Sequence, residues 1–391
     1  MLKSDFVYFD NAATSLKPIS VISKEIEYLE FYSVNSRRGD YDLGFRVDDS
    51  IDKTRSLVKE FINASDKNEI IFTSNATESL NMIVFGYFKN HLKKGDEVLL
   101  NKGEHASNIL PWMILKKEIG IVIKYAPLDK NGFLRVDSIK KSITKNTKVV
   151  SLSYITNVVG DKRDIKEIGK IIHKNNAFMV VDASQSAPHI KTDVRDIDAD
   201  FLVFSAHKML GSTGVGILYG KMDLLKEMLP FKYGGGMNLD YNEVKIDLLP
   251  IPYRFEAGTL NIASIISFSE AILFLNKVGI SNIERSECYL RKYLISELSK
   301  IKHVEVLNKE SSSSIVLINV KGINPGDLGL YLNSKKICVR SGSHCSKMLK
   351  DETSFSDSVR ISLYFYNTYE EIDRLIDALK DYSEIENFLN L

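Results

Sequence analysis

Between about Glu69 and Tyr219, short apolar, β-branched runs alternate with longer stretches in which apolar residues recur every three or four positions. Seven of the short runs read as strands: Glu69–Thr73, Glu97–Leu100, Ile121–Tyr125, Lys148–Ile155, Phe178–Asp182, Phe201–Ser205 and Val215–Tyr219. Helical spacing fills most of the gaps, as in Glu78–Phe88 and Ile165–Asn175. Near-continuous apolar strands interleaved with helices predict an α/β architecture, a mostly parallel seven-stranded sheet covered on both faces. Ligands of such sheets gather at the carboxyl ends of the strands.

After Gly258 the pattern changes. Two long helical stretches, Ile262–Lys277 and Ile283–Lys300, precede strand-like pieces at Ser314–Val320, Ile337–Arg340 and Val359–Leu363 and a helix at Tyr369–Tyr382. This predicts a smaller C-terminal α+β domain over 261–391, a large domain over 21–260, and an N-terminal segment, 1–20, packing near the smaller one. Between two of the strands lies a polar loop, 342–358, which opens with Ser343-His344-Cys345. A loop that long inside a compact domain is usually functional. The Ser311–Ser314 run is too short for a linker, and no internal repeat stands out.

Composition narrows the classes. The 391 residues are 44% hydrophobic and 26% charged, as expected of a globular chain. Lys and Arg total 52 against 51 Asp and Glu, so no cationic field marks a nucleic-acid or anionic-membrane partner. No apolar run has the ~18 residues of a spanning helix, and Met1–Phe6 lacks a leader's apolar stretch, which makes the cytoplasm the default expectation. The three cysteines, Cys288, Cys338 and Cys345, form neither a disulfide framework nor a metal-ligand pair, so no metal is expected.

Three features carry candidate chemistry. Lys208 follows an apolar strand within Phe204-Ser205-Ala206-His207-Lys208 and precedes a glycine-rich run, a setting that suits a Schiff-base lysine, although most lysines are solvated surface groups. Asp182 ends another apolar strand; a buried carboxylate there wants a cation, such as a protonated pyridine nitrogen, or else caps the following segment. Thr73-Ser74-Asn75-Ala76-Thr77-Glu78 joins a strand to a helix, where free N–H groups and hydroxyls bind phosphate, or where Asn75 or Thr77 simply caps the helix.

Taken as an ordered set, Tyr8-Phe9-Asp10-Asn11-Ala12-Ala13, Glu104-His105-x-x-Asn108, Asp182-x-x-Gln185, Ser205-x-His207-Lys208, Arg254-Phe255-Glu256-Ala257-Gly258-Thr259 and Arg340-Ser341-Gly342-Ser343-His344-Cys345 resemble the pyridoxal-phosphate enzymes of aminotransferase class V. Within that class the chain is similar to the cysteine desulfurases of the sulfur-mobilisation type. The resemblance implies fold type I of the pyridoxal-phosphate-dependent transferases, pyridoxal 5'-phosphate as cofactor and a homodimer. It also implies L-cysteine as substrate, alanine as product and a sulfur-acceptor protein as partner, with iron–sulfur cluster assembly as the destination. Residue by residue, it implies Lys208 as the lysine joined to the cofactor, Asp182 on the pyridine nitrogen and His105 stacked on the ring. Asn157 and Gln185 would sit on the phenolic oxygen side. Ala76, Thr77, Ser205 and His207 would lie around the phosphate, with Thr259 from the second subunit. Arg360 would bind the substrate carboxylate, assisted by Arg340 and Asn157, and Cys345 would accept sulfur as a persulfide.

Cys345 discriminates among pyridoxal reactions, because a thiolate is the nucleophile of sulfur transfer and neighbouring cations favour it. Arg340 and His344 are close to it in sequence. Cys338, between Ile337 and Val339, reads instead as a buried small apolar residue, and Cys288 as incidental. His91 reads as a solvated helix end and His303 as a surface turn residue, and His189 has no assigned role. The chain departs from the family at Ala76, where a threonine pair is common, and at Tyr41 and Ser343, where histidines are common. Selenocysteine lyase activity, or class V amino transfer with no sulfur step, are the alternatives.

Overall fold

A computed structural model describes residues 5–37, 39–353 and 357–389. Arg38, and positions 354–356 of the loop expected over 342–358, lie outside the described residues, as do the ends 1–4 and 390–391.

In chain order the first strands are β1 (Val7–Tyr8), β2 (Ile70–Thr73), β3 (Glu97–Leu100), β4 (Val122–Tyr125), β5 (Thr147–Ser153), β6 (Phe178–Asp182), β7 (Phe201–Ser205) and β8 (Gly216–Gly220). A hairpin follows, β9 (Asn238–Tyr241) and β10 (Ile246–Leu248), and then β11 (Val304–Val306), β12 (Ile315–Val320), β13 (Ile337–Cys338), β14 (Arg340–Gly342) and β15 (Ser358–Ser362).

Strands β2 to β8 form the expected seven-stranded sheet, in the order β2-β8-β7-β6-β5-β3-β4. Its pairs are parallel except for β8, which runs antiparallel to both β2 and β7. Strands β3, β7 and β8 are buried along their whole length, which is why they read as near-continuous apolar runs. The register levels the strand ends: Ser153 lies opposite Asp182, and Gly216 opposite both Ser205 and Thr73. A Cβ on Gly216 would come within 2.4 Å of the Asn75 backbone, so only glycine lets β8 pass so close to the turn after β2.

The helix Ile165–Lys174 forms as its spacing predicts, burying Ile165, Ile168 and Ile172 behind an Asp164 N-cap. The stretch expected as one helix over Glu78–Phe88 is an α-helix, Ala76–Met82, that widens into a π-type turn over Ile83–Phe88. Helix Ile262–Val278 packs against two helices that periodicity did not reveal, Ile19–Phe31 and Asp42–Phe61.

Beyond it a four-stranded antiparallel sheet, β11-β12-β15-β14, packs with helices Ile280–Leu298, Pro325–Ser334 and Tyr369–Lys380. The N-terminal segment joins this region: β1 pairs in parallel with β13, and Asp10 bridges to Ser362. No single helix among the described residues is long and apolar enough to cross a membrane.

Candidate active site

The levelled ends of β5, β6 and β7 open into a cavity of about 320 Å³ that also receives β14 and β15. Ala76, Thr77, His105, Asn157, Asp182, Gln185, Ser205, His207, Lys208, Arg340 and Arg360 all line it. Residues scattered over some 285 positions of sequence thus meet at one point. Two of the predicted set do not line it. Thr259 is exposed, its Oγ1 accepting from Asn35 Nδ2 at 3.4 Å, and Cys345 stands exposed beside the rim.

Lys208 follows a single 3₁₀ turn, Ala206–Lys208, at the end of β7. Its ammonium makes no hydrogen bond or ion pair among the described residues. Burial pushes its pKa down to about 8, with Asp182 acting in the opposite sense. Asp182 is 6% exposed, accepts one hydrogen bond from the Ser184 N–H at 2.9 Å, and has no ion-pair partner among the described residues. A buried carboxylate short of a cation and a buried amine short of an anion therefore face one cavity.

His105 Nδ1 accepts from the Ser107 N–H at 3.2 Å, which leaves the ring proton on Nε2. Burial first, then Lys208, lowers its pKa. The same causes push His207 down to about 4, and burial with Arg360 and Arg340 pushes His344 down to about 3. Three histidines of the cavity are thus neutral at pH 7, and its cations are Lys208, Arg340 and Arg360.

Behind His105 lies a network not anticipated from sequence. Glu104 and Arg163 are paired with fully buried side chains, and Glu104 also accepts from Asn108 Nδ2 and the Ser153 N–H, both at 2.9 Å. Burial alone would raise the Glu104 carboxyl; Arg163 and these donors pull it below its ordinary value. Ser107 was also missed: its Oγ lies 2.7 Å from Thr77 Oγ1 and ties the His105 turn to the helix after β2. Only its place inside the Glu104–Asn108 motif could have drawn attention to it. At that helix Ser205 Oγ accepts from the Ala76 N–H at 2.8 Å.

The Cys345 segment is docked. Asn157 Nδ2 donates to the His344 carbonyl at 2.7 Å, Ser346 Oγ donates to Asn157 Oδ1 at 3.3 Å, and the Ala106 N–H donates to the Cys345 carbonyl at 3.0 Å. Its backbone is strained, with φ of +51° at His344 and +62° at Cys345. Of Arg340 and His344, only Arg340 touches Cys345, Nη2 donating to Sγ at 3.2 Å. His344 turns inward to Ser358 Oγ at 3.1 Å. Both amide groups of Asn157 are thereby engaged by the loop, and Gln185 Nε2 donates to the Ala12 carbonyl at 2.7 Å.

A family model for aminotransferase class-V matches residues 7–375. The chain belongs to the aminotransferase class-V family. A Ureaplasma parvum protein named "Probable cysteine desulfurase" is 41% identical over 384 residues, covering 97% of this chain and 94% of its own. One of the same name from Borreliella burgdorferi is 40% identical, over 96% and 91%. Among solved structures, the apo cysteine desulfurase of Thermococcus onnurineus NA1 superposes with a TM-score of 0.93 at 33% identity, over 98% of this chain and 95% of that one. The cysteine desulfurase CsdA (S-sulfonic acid) of Escherichia coli superposes with 0.92 at 29%, over 99% and 96%. Class V aminotransferases depend on pyridoxal phosphate as a family. The unpaired Asp182, the desolvated Lys208 and the size of the cavity suit that cofactor.

Two expectations outside the cavity need amendment. Cys338 is half-buried in β13 beside Tyr8 rather than a core residue, and burial, with Asp10, pushes its thiol pKa up. His303 does lie in a turn, but half-buried rather than on the surface, its Nε2 2.7 Å from the Leu379 carbonyl and its ring beside Tyr382. His189, given no role, is buried against Glu287 with Nδ1 2.8 Å from Oε1. His91 does end a short helix, half-exposed beside Glu227.

Proposed function

We propose that the chain is a pyridoxal-phosphate-dependent cysteine desulfurase that converts L-cysteine to L-alanine and carries the sulfur on Cys345. The observation that carries this reading is the Arg340–Cys345 contact. A thiol at the mouth of a class V cavity, held by a guanidinium that lines the cavity, supports sulfur transfer over amino transfer, which calls for no thiol. The near full-length relatives named cysteine desulfurase support it.

Lys208, Asp182, His105, Ser205, His207, Ala76 and Thr77 would hold the cofactor, with Asn157 and Gln185 beside it and Thr259 reaching the site of a second subunit. When bound, pyridoxal phosphate would supply the electron sink that withdraws charge from the substrate Cα. Arg360 would take the substrate carboxylate, its planar fork matching the two oxygens. Lys208, with an amine pKa near 8, would remove and return the Cα proton. His105, neutral and protonated on Nε2, would pass a proton to or from the reacting groups. Arg340 would hold Cys345 at the cavity mouth. Its Sγ would form a bond to the substrate sulfur while the substrate Cβ–S bond breaks, leaving a persulfide on Cys345 and, after protonation, alanine.

A homodimer fits the apolar side chains left exposed on helix Ile19–Phe31 and on the β9–β10 hairpin. We further propose a cytoplasmic enzyme whose persulfide passes to an acceptor protein serving iron–sulfur cluster assembly.

The test compares wild type with Cys345→Ala on L-cysteine in the presence of a reductant. Wild type should release alanine and sulfide in equal amounts, and Cys345→Ala should lose at least about 100-fold in rate while keeping the cofactor's absorbance. Amino-group transfer to a keto acid without sulfide, or an undiminished Cys345→Ala, would sink the proposal.

A further inference from the structure

Arg360 is the most enclosed charged side chain of the cavity, 1% exposed although it lines the wall. Its Nη1 donates to the Asn157 carbonyl and its Nη2 to Asp10 Oδ1, both at 2.8 Å, while Nε has no partner among the described residues. An enclosed guanidinium is costly unless a carboxylate accompanies it, and here Arg340 adds charge of the same sign. Asp10 is the acid paired with it. Asp10 stands outside the cavity lining, so it braces the fork from behind and does not reach the ligand space.

The brace is rigid, because Asp10 is fastened to the strand that carries Arg360. It bridges in parallel to Ser362 of β15; the Ser362 N–H donates to the Phe9 carbonyl at 2.7 Å, Asn11 Nδ2 to the Ser362 carbonyl at 2.7 Å, and the Ala12 N–H to Ser362 Oγ at 2.9 Å. Two residues 350 positions apart in sequence thus form one fixed unit. With both terminal nitrogens anchored, the guanidinium plane is set before any ligand arrives, which removes an ordering cost from binding.

We propose that Asp10 is a positioning residue that orients Arg360 to receive the α-carboxylate of the amino-acid substrate. The proposal rests on the desulfurase reading above and deepens it. The Asp10 charge offsets the cost of enclosing the guanidinium, but for ligand binding the acceptor oxygen that sets the fork matters more, since an anion close to the fork opposes an incoming carboxylate.

The holoenzyme and its Asp10→Ala, Asp10→Asn and Asp10→Glu variants would be compared in KM and kcat for L-cysteine. The dissociation constant of L-alanine would be read from the change in cofactor absorbance. Asp10→Ala should raise KM and the alanine constant roughly tenfold with kcat within about twofold. Asp10→Asn, which keeps an acceptor oxygen, should stay within about threefold of wild type. Asp10→Glu, which pushes the fork forward, should behave like Asp10→Ala and carries the test if the alanine variant does not fold. Unchanged alanine affinity in Asp10→Ala and Asp10→Glu would overturn the proposal, and so would tighter binding in both Asp10→Ala and Asp10→Asn, which would make Asp10 a competitor of the substrate. A wild type that neither binds alanine nor releases sulfide would count instead against the desulfurase reading.

Discussion

At the scale of single residues, the cavity works by removing water from charges. Lys208 loses hydration without gaining a full partner, and its pKa falls to about 8, so a substantial fraction of the amine is neutral at physiological pH. In protein stripped of cofactor, acylation of Lys208 by a small amine-reactive anhydride, which loses its carboxylate as the amide forms, should therefore rise with pH around a midpoint near 8 when followed by mass spectrometry. A midpoint above 10, that of a solvated lysine, would remove the electrostatic basis for Lys208 as a base. The same reasoning explains what sequence could and could not reveal about Cys345. Arg340 and His344 are both close to it in sequence, but His344 is drawn inward to Ser358 and loses its charge to burial, while Arg340 reaches Sγ. Sequence distance carries no information on side-chain direction once the backbone enters the left-handed region, as it does at both His344 and Cys345.

At the scale of elements, the far end of the sheet is tied by charge. His173, in the last turn of helix Ile165–Lys174, places Nε2 3.0 Å from Asp200 at the entry to β7 and Nδ1 3.0 Å from Asp198, while Lys221 meets both acids. The bond to Asp200, the larger influence, holds the His173 pKa above its ordinary value. A histidine raised by folding adds stability that is complete below the unfolded pKa of about 6.5 and disappears as pH climbs through the folded value. His173→Gln should thus cost about 1 kcal/mol at pH 6 and less than half of that at pH 9, given partial exposure. Urea unfolding at the two pH values checks it, and an equal cost at both would refute the charge linkage. Elements with a clear period were legible in this way: β3, β6 and β7 occur over the predicted residues, since strands buried on both faces leave no polar interruption. Helix Asp42–Phe61 was not, because it buries Thr54 and Arg55 along with Val47, Ile51 and Val58, and its stripe is broken by polar groups whose partners, such as Glu256, lie about 200 residues away. The site was legible as a set of motifs, but not the pairings across it: Asp10 with Arg360 and Glu104 with Arg163 follow from tertiary approach that no local period encodes.

At the scale of the molecule, one chain leaves both apolar surface and a predicted residue unused. The β9–β10 hairpin projects Leu239, Tyr241, Val244 and Ile246 at 61 to 95% exposure, and a two-stranded ribbon has little stability of its own. Thr259, expected in the phosphate site, lies outside this chain's cavity. The homodimer proposed above would account for both facts, with a second copy covering the hairpin and receiving Thr259. Sedimentation should then give a mass about twice the 44.3 kDa of the chain. Leu239→Lys combined with Val244→Lys should shift that mass toward one chain, because two charges buried in an apolar contact have no counter-ions there. Loss of the contact should also weaken cofactor retention on gel filtration, through Thr259, though Lys208, Asp182 and Ser205 are untouched. A wild type that sediments as one chain while releasing sulfide from L-cysteine would refute the dimer. A double variant that remains dimeric with full cofactor would move the interface to helix Ile19–Phe31, whose Ile19, Leu29 and Phe31 are 56 to 69% exposed.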